Sequence, residues 1–248
     1  MFQASLPHHD TGGFTSHRKF LSDKEYGEAL DCIVKACSDM LLLSPDGQLV
    51  FLGKRVVHPQ ELPSPTPSPP IPFPPPDWWF VGGRIFPGET PVQSCRRLLQ
   101  RELGLLVEPE RFTTVCAQSL AWAMREQLPK EHGTTDAQFV LSLMLREDEM
   151  GKVVLDPKEY SESQWARPED ILSGSYHPAL KFAVHALLAR RKLQALQVAV
   201  SEGQDDGRIA ELARAFVHAS MHSPPSGRSD YQLSARELDY ECEVVTTL

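Results

Sequence analysis

The residues best suited to chemistry lie in a glycine loop and in the helix that follows it. Residues 82–105 read GGRIFPGETPVQSCRRLLQRELGL, with Gly83 at the start, Glu89 in the loop, and Arg97 and Glu102 further along. Apolar residues recur at helical spacing, which indicates a helix with Glu102 on the side that faces the loop. A carboxylate in that position can bind Mg²⁺, and a guanidinium group can bind phosphate.

The spacing of these residues resembles the Nudix box, the signature of hydrolases that act on nucleoside diphosphates linked to another group. Gly83 is followed after five residues by Glu89, after seven more by Arg97, and then by Glu102. The flanking pattern of strands and helices extends the resemblance over about residues 22–190. The resemblance implies an α/β fold, an α/β/α sandwich with a mixed sheet, and hydrolysis of a nucleoside diphosphate derivative.

Two positions depart from the usual box, in which glutamates stand where this chain has Leu98 and Arg101. Positions 98, 101 and 102 share one face of a helix, so this chain presents one carboxylate where a typical member presents three. Mg²⁺ needs only one or two protein carboxylates together with phosphate oxygens and water. We therefore expect one Mg²⁺ rather than a cluster, with Arg101 attracting a diphosphate oxygen of the substrate.

Within the family, the sequence is most similar to the GDP-mannose mannosyl hydrolases, which share the segment at residues 79–84 and a reduced box. Asp39 falls one residue from the substrate-contacting aspartate of that branch. The resemblance implies attack of water on the sugar carbon, with a single Mg²⁺ on the diphosphate. Arginines bind phosphate through paired hydrogen bonds, so Arg55, Arg84 and Arg97 are expected to neutralise the diphosphate.

The resemblance also implies the remaining metal ligands. Glu159 stands six residues before a tryptophan, where the family places a carboxylate or amide that completes its metal site. We expect Glu102, Glu159 and the carbonyl of Gly83 to hold the Mg²⁺. The branch has a histidine base at the next position, where this chain has Tyr160, and a tyrosine of ordinary pKa near 10 is a poor base at neutral pH. Another histidine or Glu162 could substitute.

Arg97, which we expect to act in catalysis with Glu102 and Glu159, also has a simpler interpretation. An ion pair between Glu89 and Arg97 would hold the loop against the helix without touching substrate. Arg55 and Arg84 could likewise be surface arginines. The retained spacing makes Glu102 a stronger ligand candidate than an ordinary surface charge would be.

The composition argues against several other classes of function. The 248 residues contain 25 basic and 33 acidic side chains, a net charge of −8, whereas nucleic-acid and anionic-membrane binders depend on clustered lysine and arginine. No apolar stretch approaches the length of a membrane-spanning helix, and the start of the chain lacks an apolar signal core. The five cysteines form no CxxC pair, which favours free thiols. We expect a cytoplasmic protein that binds neither nucleic acid nor membrane.

Apolar periodicity, caps and turns predict the elements that position the site. Ser22 suits the start of a helix over residues 23–37, whose apolar face would include Ile33 and Val34. Further helices are expected at residues 91–103, 167–172, 179–196 and 206–219. Strands are expected at residues 39–43, 48–53, 78–81, 112–122 and 137–145.

A proline-rich segment interrupts this pattern at residues 59–76, which hold ten of the 21 prolines. Proline removes a backbone donor, so we expect a surface insertion within one domain, either a solvated spacer or a ligand for an SH3- or WW-type partner. The expected plan is an N-terminal tail (1–21), a Nudix-like domain (22–190) and a helical or irregular extension (191–248).

Three functions remain open at this point. The preferred one is a Mg²⁺-dependent hydrolase of a nucleoside diphosphate sugar. Loss of the box glutamates favours a binding or regulatory module without catalysis, and the fold is also compatible with another diphosphate, including a prenyl diphosphate. A homodimer is left open as well.

Overall fold

A computed structural model describes residues 6–9, 12–55, 78–122 and 125–221. The proline-rich insertion expected at residues 59–76 lies outside the described residues, as do residues 222–248 of the expected extension. Both interpretations therefore stay predictions.

The described residues form helices and strands in a mixed order along the chain. The helices are α1 (Asp23–Leu30), α2 (Pro91–Leu103), α3 (Glu147–Met150), α4 (Pro168–Ser173), α5 (Pro178–Ser201) and α6 (Asp206–Met221). The strands are β1 (Lys35–Leu43), β2 (Val50–Arg55), β3 (Trp78–Trp79), β4 (Val81–Arg84), β5 (Thr113–Trp122), β6 (Thr134–Met144) and β7 (Tyr160–Ala166).

The strands make one mixed sheet in which β1 has the central place. It pairs in parallel with β6 and in antiparallel orientation with two strands on its other edge. Residues 37–40 of β1 pair with β4, whereas residues 42–43 pair with β2. The sheet therefore divides along this edge, and the end of β2 and the glycines of β4 meet at the division.

Helices cover both faces of the sheet, which confirms the expected α/β/α sandwich. On one face, α2 packs over a core whose central residues are Met40, Leu42, Val81, Cys95, Leu98, Leu99, Leu141 and Leu143. On the other face, α4 and α5 pack over a second core formed by Leu41, Leu43, Val50, Leu52, Phe80, Val140, Ile171, Leu180 and Val184. Each face buries every second residue of a strand, as pleated backbone geometry requires.

Helix α2 has the predicted boundaries. Thr90 accepts a hydrogen bond from the Gln93 amide at 3.1 Å, and the Gln93 side chain accepts one in return from the Thr90 amide at 2.8 Å. Gly104 ends the helix in the left-handed region, with φ of +68°. Leu98, which replaces a box glutamate, is buried in the core, so this position stabilises the fold and cannot bind metal.

Helix α1 is shorter than its periodicity indicates. It ends at Leu30, and Ile33 and Val34 lie 52% and 61% exposed in the link to β1. Strand β1 begins at residue 35, four residues earlier than predicted, because it pairs with β6 over residues 35–43 and its backbone groups are used there.

The expected boundary at residue 190 falls inside a continuous helix, since α5 runs to Ser201. Helix α6 then packs against α5. Within the part of the chain that the structure covers, no helix is both long and apolar enough to cross a membrane.

Candidate active site

The centre of the candidate site is Arg55, at the end of β2. Its Nη2 atom donates a hydrogen bond to the carbonyl oxygen of Gly82 at 3.1 Å, and Nη1 donates to Oε2 of Glu159 at 3.2 Å. The guanidinium carbon lies 5.3 Å from the centre of the Tyr160 ring. We call Arg55, Gly82, Glu102, Glu159 and Tyr160 the Arg55 cluster.

Glu102 supplies the buried carboxylate of this cluster, with 3% of its surface exposed. The Tyr160 hydroxyl donates to Glu102 Oε2 at 2.5 Å, and Arg101 Nη2 donates to Oε1 at 2.6 Å. Because an unpaired buried carboxylate is strongly unfavourable, these two donors explain how the position tolerates burial. Arg101, at the place of a box glutamate, thus puts positive charge directly on Glu102.

The electrostatics of the cluster favour cations at its centre. Burial lowers the pKa of Arg55, but the negative charges of its neighbours outweigh this effect and raise the pKa overall; Glu102, Glu159 and Asp39 are among them. Burial raises the pKa of Tyr160 well above its ordinary value, and the charge of Glu102 adds to that shift. Tyr160 therefore remains a hydrogen-bond donor at neutral pH and cannot replace a histidine base.

Asp39 lies beside this cluster on β1, opposite Gly82. Burial raises the pKa of the Asp39 carboxyl to about 7, while the hydrogen bond from Gln138 Nε2, at 2.6 Å, and the charge of Arg55 lower it. A Cβ atom on Gly82 would stand 2.1 Å from Asp39 Oδ1. Only glycine fits there, so the close approach of β4 to Asp39 depends on Gly82.

The carbonyl that faces the cluster belongs to Gly82 and not, as we expected, to Gly83. The Ile85 amide donates to the Ala36 carbonyl of β1 at 2.9 Å. Antiparallel pairs alternate between hydrogen-bonded and non-hydrogen-bonded types, so the backbone groups of Gly83 also point at β1, towards Ser38. The backbone groups of Gly82 point away from β1. Its carbonyl oxygen is therefore directed towards the Arg55 guanidinium group, which donates to it.

Arg97 has the structural role given above as the alternative to catalysis, an ion pair with Glu89 that holds the loop against α2. Its Nε and Nη2 atoms donate to the two oxygens of Glu89 at 2.6 and 2.8 Å, and Nη2 also donates to the Arg84 carbonyl at 3.0 Å. Glu89 in turn accepts from the Phe86 amide at 2.9 Å. Burial raises the pKa of Glu89, but the hydrogen bonds from Arg97 and the Phe86 amide and the charges of Arg97 and Arg18 together outweigh it and lower the pKa overall.

The N-terminal segment, expected to be a tail, contacts this same loop. Phe14 lies against Gly88, whose φ is +86°, and the Arg18 guanidinium lies 3.3 Å from the centre of the Phe86 ring. The Arg97 guanidinium lies 3.6 Å from the same ring. Two cations over one ring are favourable cation–π contacts, so the segment contributes to the position of the loop.

A family comparison identifies the fold. A model of the NUDIX domain matches residues 37–187, which include α2, the glycine loop and both carboxylates. The chain belongs to the NUDIX family.

Relatives of this NUDIX protein have diverse names. The RNA pyrophosphohydrolase of Acinetobacter baylyi is 33% identical over 98 residues, which cover 36% of this chain and 57% of that protein, so the match spans little more than half of the relative's length. Among solved structures, the Ap4A hydrolase of C. elegans is 15% identical, with a TM-score of 0.39 and coverage of 62% of this chain and 96% of that chain. The MutT NUDIX hydrolase of Burkholderia pseudomallei is 17% identical, with a TM-score of 0.44 and coverage of 62% and 98%. None of these names supports the GDP-mannose branch.

The candidate site brings together only some of the residues expected from the sequence. Asp39, Arg55, Glu102 and Glu159 converge, and Arg101 lies on Glu102. Arg84 lies elsewhere, with its guanidinium 4.9 Å from the centre of the Tyr26 ring. The partner of Asp39, Gln138, was missed because it comes from β6 and carries no local signal.

The chemistry of the donor set fits a Mg²⁺ ion. Glu102, Glu159 and the Gly82 carbonyl are all oxygen donors, the ligand type that Mg²⁺ prefers. Gly82 and Glu159 already bind one cationic group, Arg55, which shows that their oxygens converge. In the described ranges, no three His, Cys, Asp or Glu side chains lie close enough together to hold a metal.

Proposed function

We propose that the protein is a hydrolase that cleaves a nucleoside diphosphate derivative at the Arg55 cluster. The observation that carries the proposal is the convergence of Glu159 and the Gly82 carbonyl on the Arg55 guanidinium group, which lies 5.3 Å from the ring of Tyr160, the residue that bonds to Glu102. The finer form of the proposal, suggested by the sequence resemblance, is a nucleoside diphosphate sugar such as GDP-mannose.

In this proposal, Glu102, Glu159 and the Gly82 carbonyl hold one Mg²⁺, which would neutralise charge on the diphosphate leaving group. Arg55 and Arg101 bind diphosphate oxygens, because each guanidinium group lies on one of the two proposed ligand carboxylates, Arg55 on Glu159 and Arg101 on Glu102. Arg101 is 55% exposed and so is accessible to a ligand from solvent. Asp39, which lies opposite Gly82, contacts the substrate from the β1 side of strand β4.

The hydroxyl of Tyr160 has a supporting role in this scheme. It holds one oxygen of Glu102 and thereby orients the carboxylate. Glu162, which could have replaced a histidine base, pairs with Lys54 at 2.7 Å, and the loop histidine His132 lies 3.0 Å from Asp31.

The test is a substrate screen with and without Mg²⁺. The panel holds nucleoside diphosphate sugars, dinucleoside polyphosphates, 5′-triphosphorylated RNA and prenyl diphosphates, with sugar and phosphate release measured separately. We expect Mg²⁺-dependent turnover of a nucleoside diphosphate sugar, lost in Glu102→Gln and retained in the exposed control Glu110→Gln. Turnover that survives in Glu102→Gln would refute the site.

One observation favours a second candidate, a NUDIX module that binds without catalysis. Both oxygens of Glu102 are occupied by hydrogen bonds from Arg101 and Tyr160, which a metal would have to compete with. In that case the same panel gives binding of a nucleoside diphosphate compound but no turnover under any metal condition.

A further inference from the structure

The outer strands of the sheet differ in how they are protected from pairing with another chain. On one side, β3 is only two residues long, and β7 carries Glu162, which exposes 54% of its side chain. On the other side lies β5, a strand of ten residues that pairs, among the described strands, only with β6. Short strands, charges and prolines usually protect a sheet edge. Strand β5 contains neither a charged residue nor a proline.

The backbone of β5 is open along its outer side. The N–H and C=O groups of a strand alternate between its two edges, so half of those in β5 point away from β6. Among the described residues, none of these groups has a backbone partner outside β6. A bulge between Thr114 and Cys116 shifts the register, and residues 116–122 then pair regularly with β6. This regular run presents an unpaired ladder of donors and acceptors.

The side chains of the run leave room for a further strand. Ala117, Ser119 and Ala121 are exposed on one face of the sheet, and all three are small. On the opposite face, Gln118 is half-buried and donates to the Ala179 carbonyl of α5 at 3.2 Å. Side chains project from the faces of a sheet, so this contact places the start of α5 over the face of β5. The edge itself is not covered by it.

We propose that two copies of this chain associate through the edge of β5, with their β5 strands paired in antiparallel orientation about a two-fold axis at Ser119. An exposed sheet edge binds a strand, because only an extended backbone completes its ladder. In this register Ser119 lies opposite Ser119 of the partner subunit, and Ala117 lies opposite Ala121 of the partner subunit. The pairing uses residues 116–122 of both copies, which is the whole regular run.

The composition of the edge favours a second copy over a strand of another protein. Its small exposed residues form no pockets for side chains, and such pockets are what select a particular peptide in strand addition. Two uncharged strands also meet without repulsion, although the whole chain has a net charge of −8. The pairing closes at two copies, since it uses the open edge of each. Only the sides protected by β3 and β7 then remain.

The first test is the oligomeric state of the full chain. Sedimentation velocity is measured over a concentration series for the wild type, Ser119→Lys and a control, Ser201→Lys. The first substitution places two ammonium groups opposite each other across the two-fold axis, where like charges destabilise a strand pair. Ser201 is exposed at the end of α5 remote from Ala179, so the control adds the same charge away from the edge. Circular dichroism checks the folding of both variants.

We expect the wild type to reach twice the monomer mass of 27.8 kDa as the concentration rises. The control should behave in the same way. Ser119→Lys should remain at the monomer mass at every concentration, with an unchanged circular dichroism spectrum, because the substitution disturbs only the pairing between copies.

Cysteine cross-linking tests the register and does not depend on how well the chain tolerates a lysine in β5. Opposed residues of antiparallel strands have Cα atoms about 4.5–5.5 Å apart, within reach of a disulfide. Ser119→Cys should therefore give a covalent dimer on mild oxidation with copper phenanthroline. Ala117→Cys and Ala121→Cys, each about 14 Å from its own copy, should cross-link only when the two variants are mixed. The wild type gives the background from its five native cysteines.

A wild type that stays at the monomer mass at every concentration would overturn the proposal, and so would a dimer that Ser119→Lys leaves intact. Preferential cross-linking of Ala121→Cys alone over Ser119→Cys would also overturn it, because the two-fold axis would then lie elsewhere. Neither measurement involves turnover, so both outcomes are independent of the proposed hydrolase function.

Discussion

The hydroxyl of Tyr160 donates a 2.5 Å hydrogen bond to Glu102, the buried carboxylate of helix α2. This contact joins β7 to the box helix and places a neutral donor where the resembling branch carries a histidine. Because burial raises the pKa of Tyr160, the residue holds a proton instead of removing one. Its position in the sequence suggests a base, but its surroundings make it a residue that positions Glu102.

Tyr160→Phe should lower the free energy of unfolding by about 1.5–3 kcal/mol, since a buried carboxylate loses a hydrogen bond. Urea denaturation measures the change. Tyr176→Phe is a matched control, because the Tyr176 hydroxyl accepts only a neutral hydrogen bond from Gln164 at 3.0 Å. That variant should lose about 0.5–1.5 kcal/mol. Equal losses in the two variants would contradict the special role of the Glu102 contact.

Arg101→Glu should change the metal requirement of the protein. The substitution removes the cation that bonds to Glu102 and adds a second carboxylate on the same face of α2. We expect weaker binding of a nucleoside diphosphate and a Mg²⁺ dependence that requires more than one ion. Arg101→Gln separates the two effects, because it removes the charge without adding a ligand. Unchanged diphosphate affinity in both variants would exclude a role for Arg101 in binding.

Asp39 should make the protein less stable as the pH rises. Its folded pKa of about 7 lies above the ordinary value, so the folded state binds a proton more tightly than the unfolded state does. The contribution is complete below about pH 4, the ordinary value for aspartate, and is lost as the pH rises to about 7. Asp39→Asn should remove this loss, so the variant gains stability relative to the wild type between those limits.

The comparison of pH profiles needs a control residue whose pKa is shifted in the opposite direction, so that its contribution to stability changes with pH in the opposite way. The Ser44 hydroxyl lowers the pKa of Asp46, so Asp46→Asn should cost stability at neutral pH and match the wild type only in acid. Chemical denaturation across the pH range measures all three proteins. A difference between wild type and Asp39→Asn that stays constant with pH would refute the account of Asp39.

Arg18→Ala should loosen the glycine loop without unfolding the domain. Arg18 lies over Phe86, and the contact is worth about 0.5–1 kcal/mol at a partly exposed site. We expect a few-fold faster hydrogen exchange of the Phe86, Gly88 and Glu89 amides, with the melting temperature nearly unchanged. Lys19→Ala, which alters an exposed neighbour, should leave exchange as it is. Identical exchange in Arg18→Ala and wild type would show that the segment does not hold the loop.

The sequence was sufficient for the elements that depend on local signals. Helix α2 could be placed to the residue, because its capping residues, proline and terminal glycine act within one turn. Glu102 could be proposed as a ligand on the same helix, because its spacing from the loop is also a local signal. Helix α1 was predicted too long, because residues 35–37, which local periodicity assigned to the helix, pair as part of β1 with the distant strand β6.

The details of the site depend on contacts that no local pattern encodes. Gly82 and Gly83 are adjacent and chemically identical. Only the alternation of hydrogen-bonded and non-hydrogen-bonded pairs between β1 and β4 decides which carbonyl faces Arg55. Gln138 reaches Asp39 from a parallel neighbouring strand. Leu98 stands at a ligand position in the motif, yet the packing of α2 on the sheet shows it to be a core residue.

The central claim is that the site holds one metal ion between Glu102 and Glu159, and metal stoichiometry tests it most directly. Mn²⁺ binding in the presence of GDP can be followed by the loss of the free-ion paramagnetic resonance signal. We predict one bound ion per chain in the wild type, none at the same concentrations in Glu102→Gln or Glu159→Gln, and one in Glu110→Gln. Two or more tightly bound ions in the wild type, or undiminished binding in Glu102→Gln, would contradict the account.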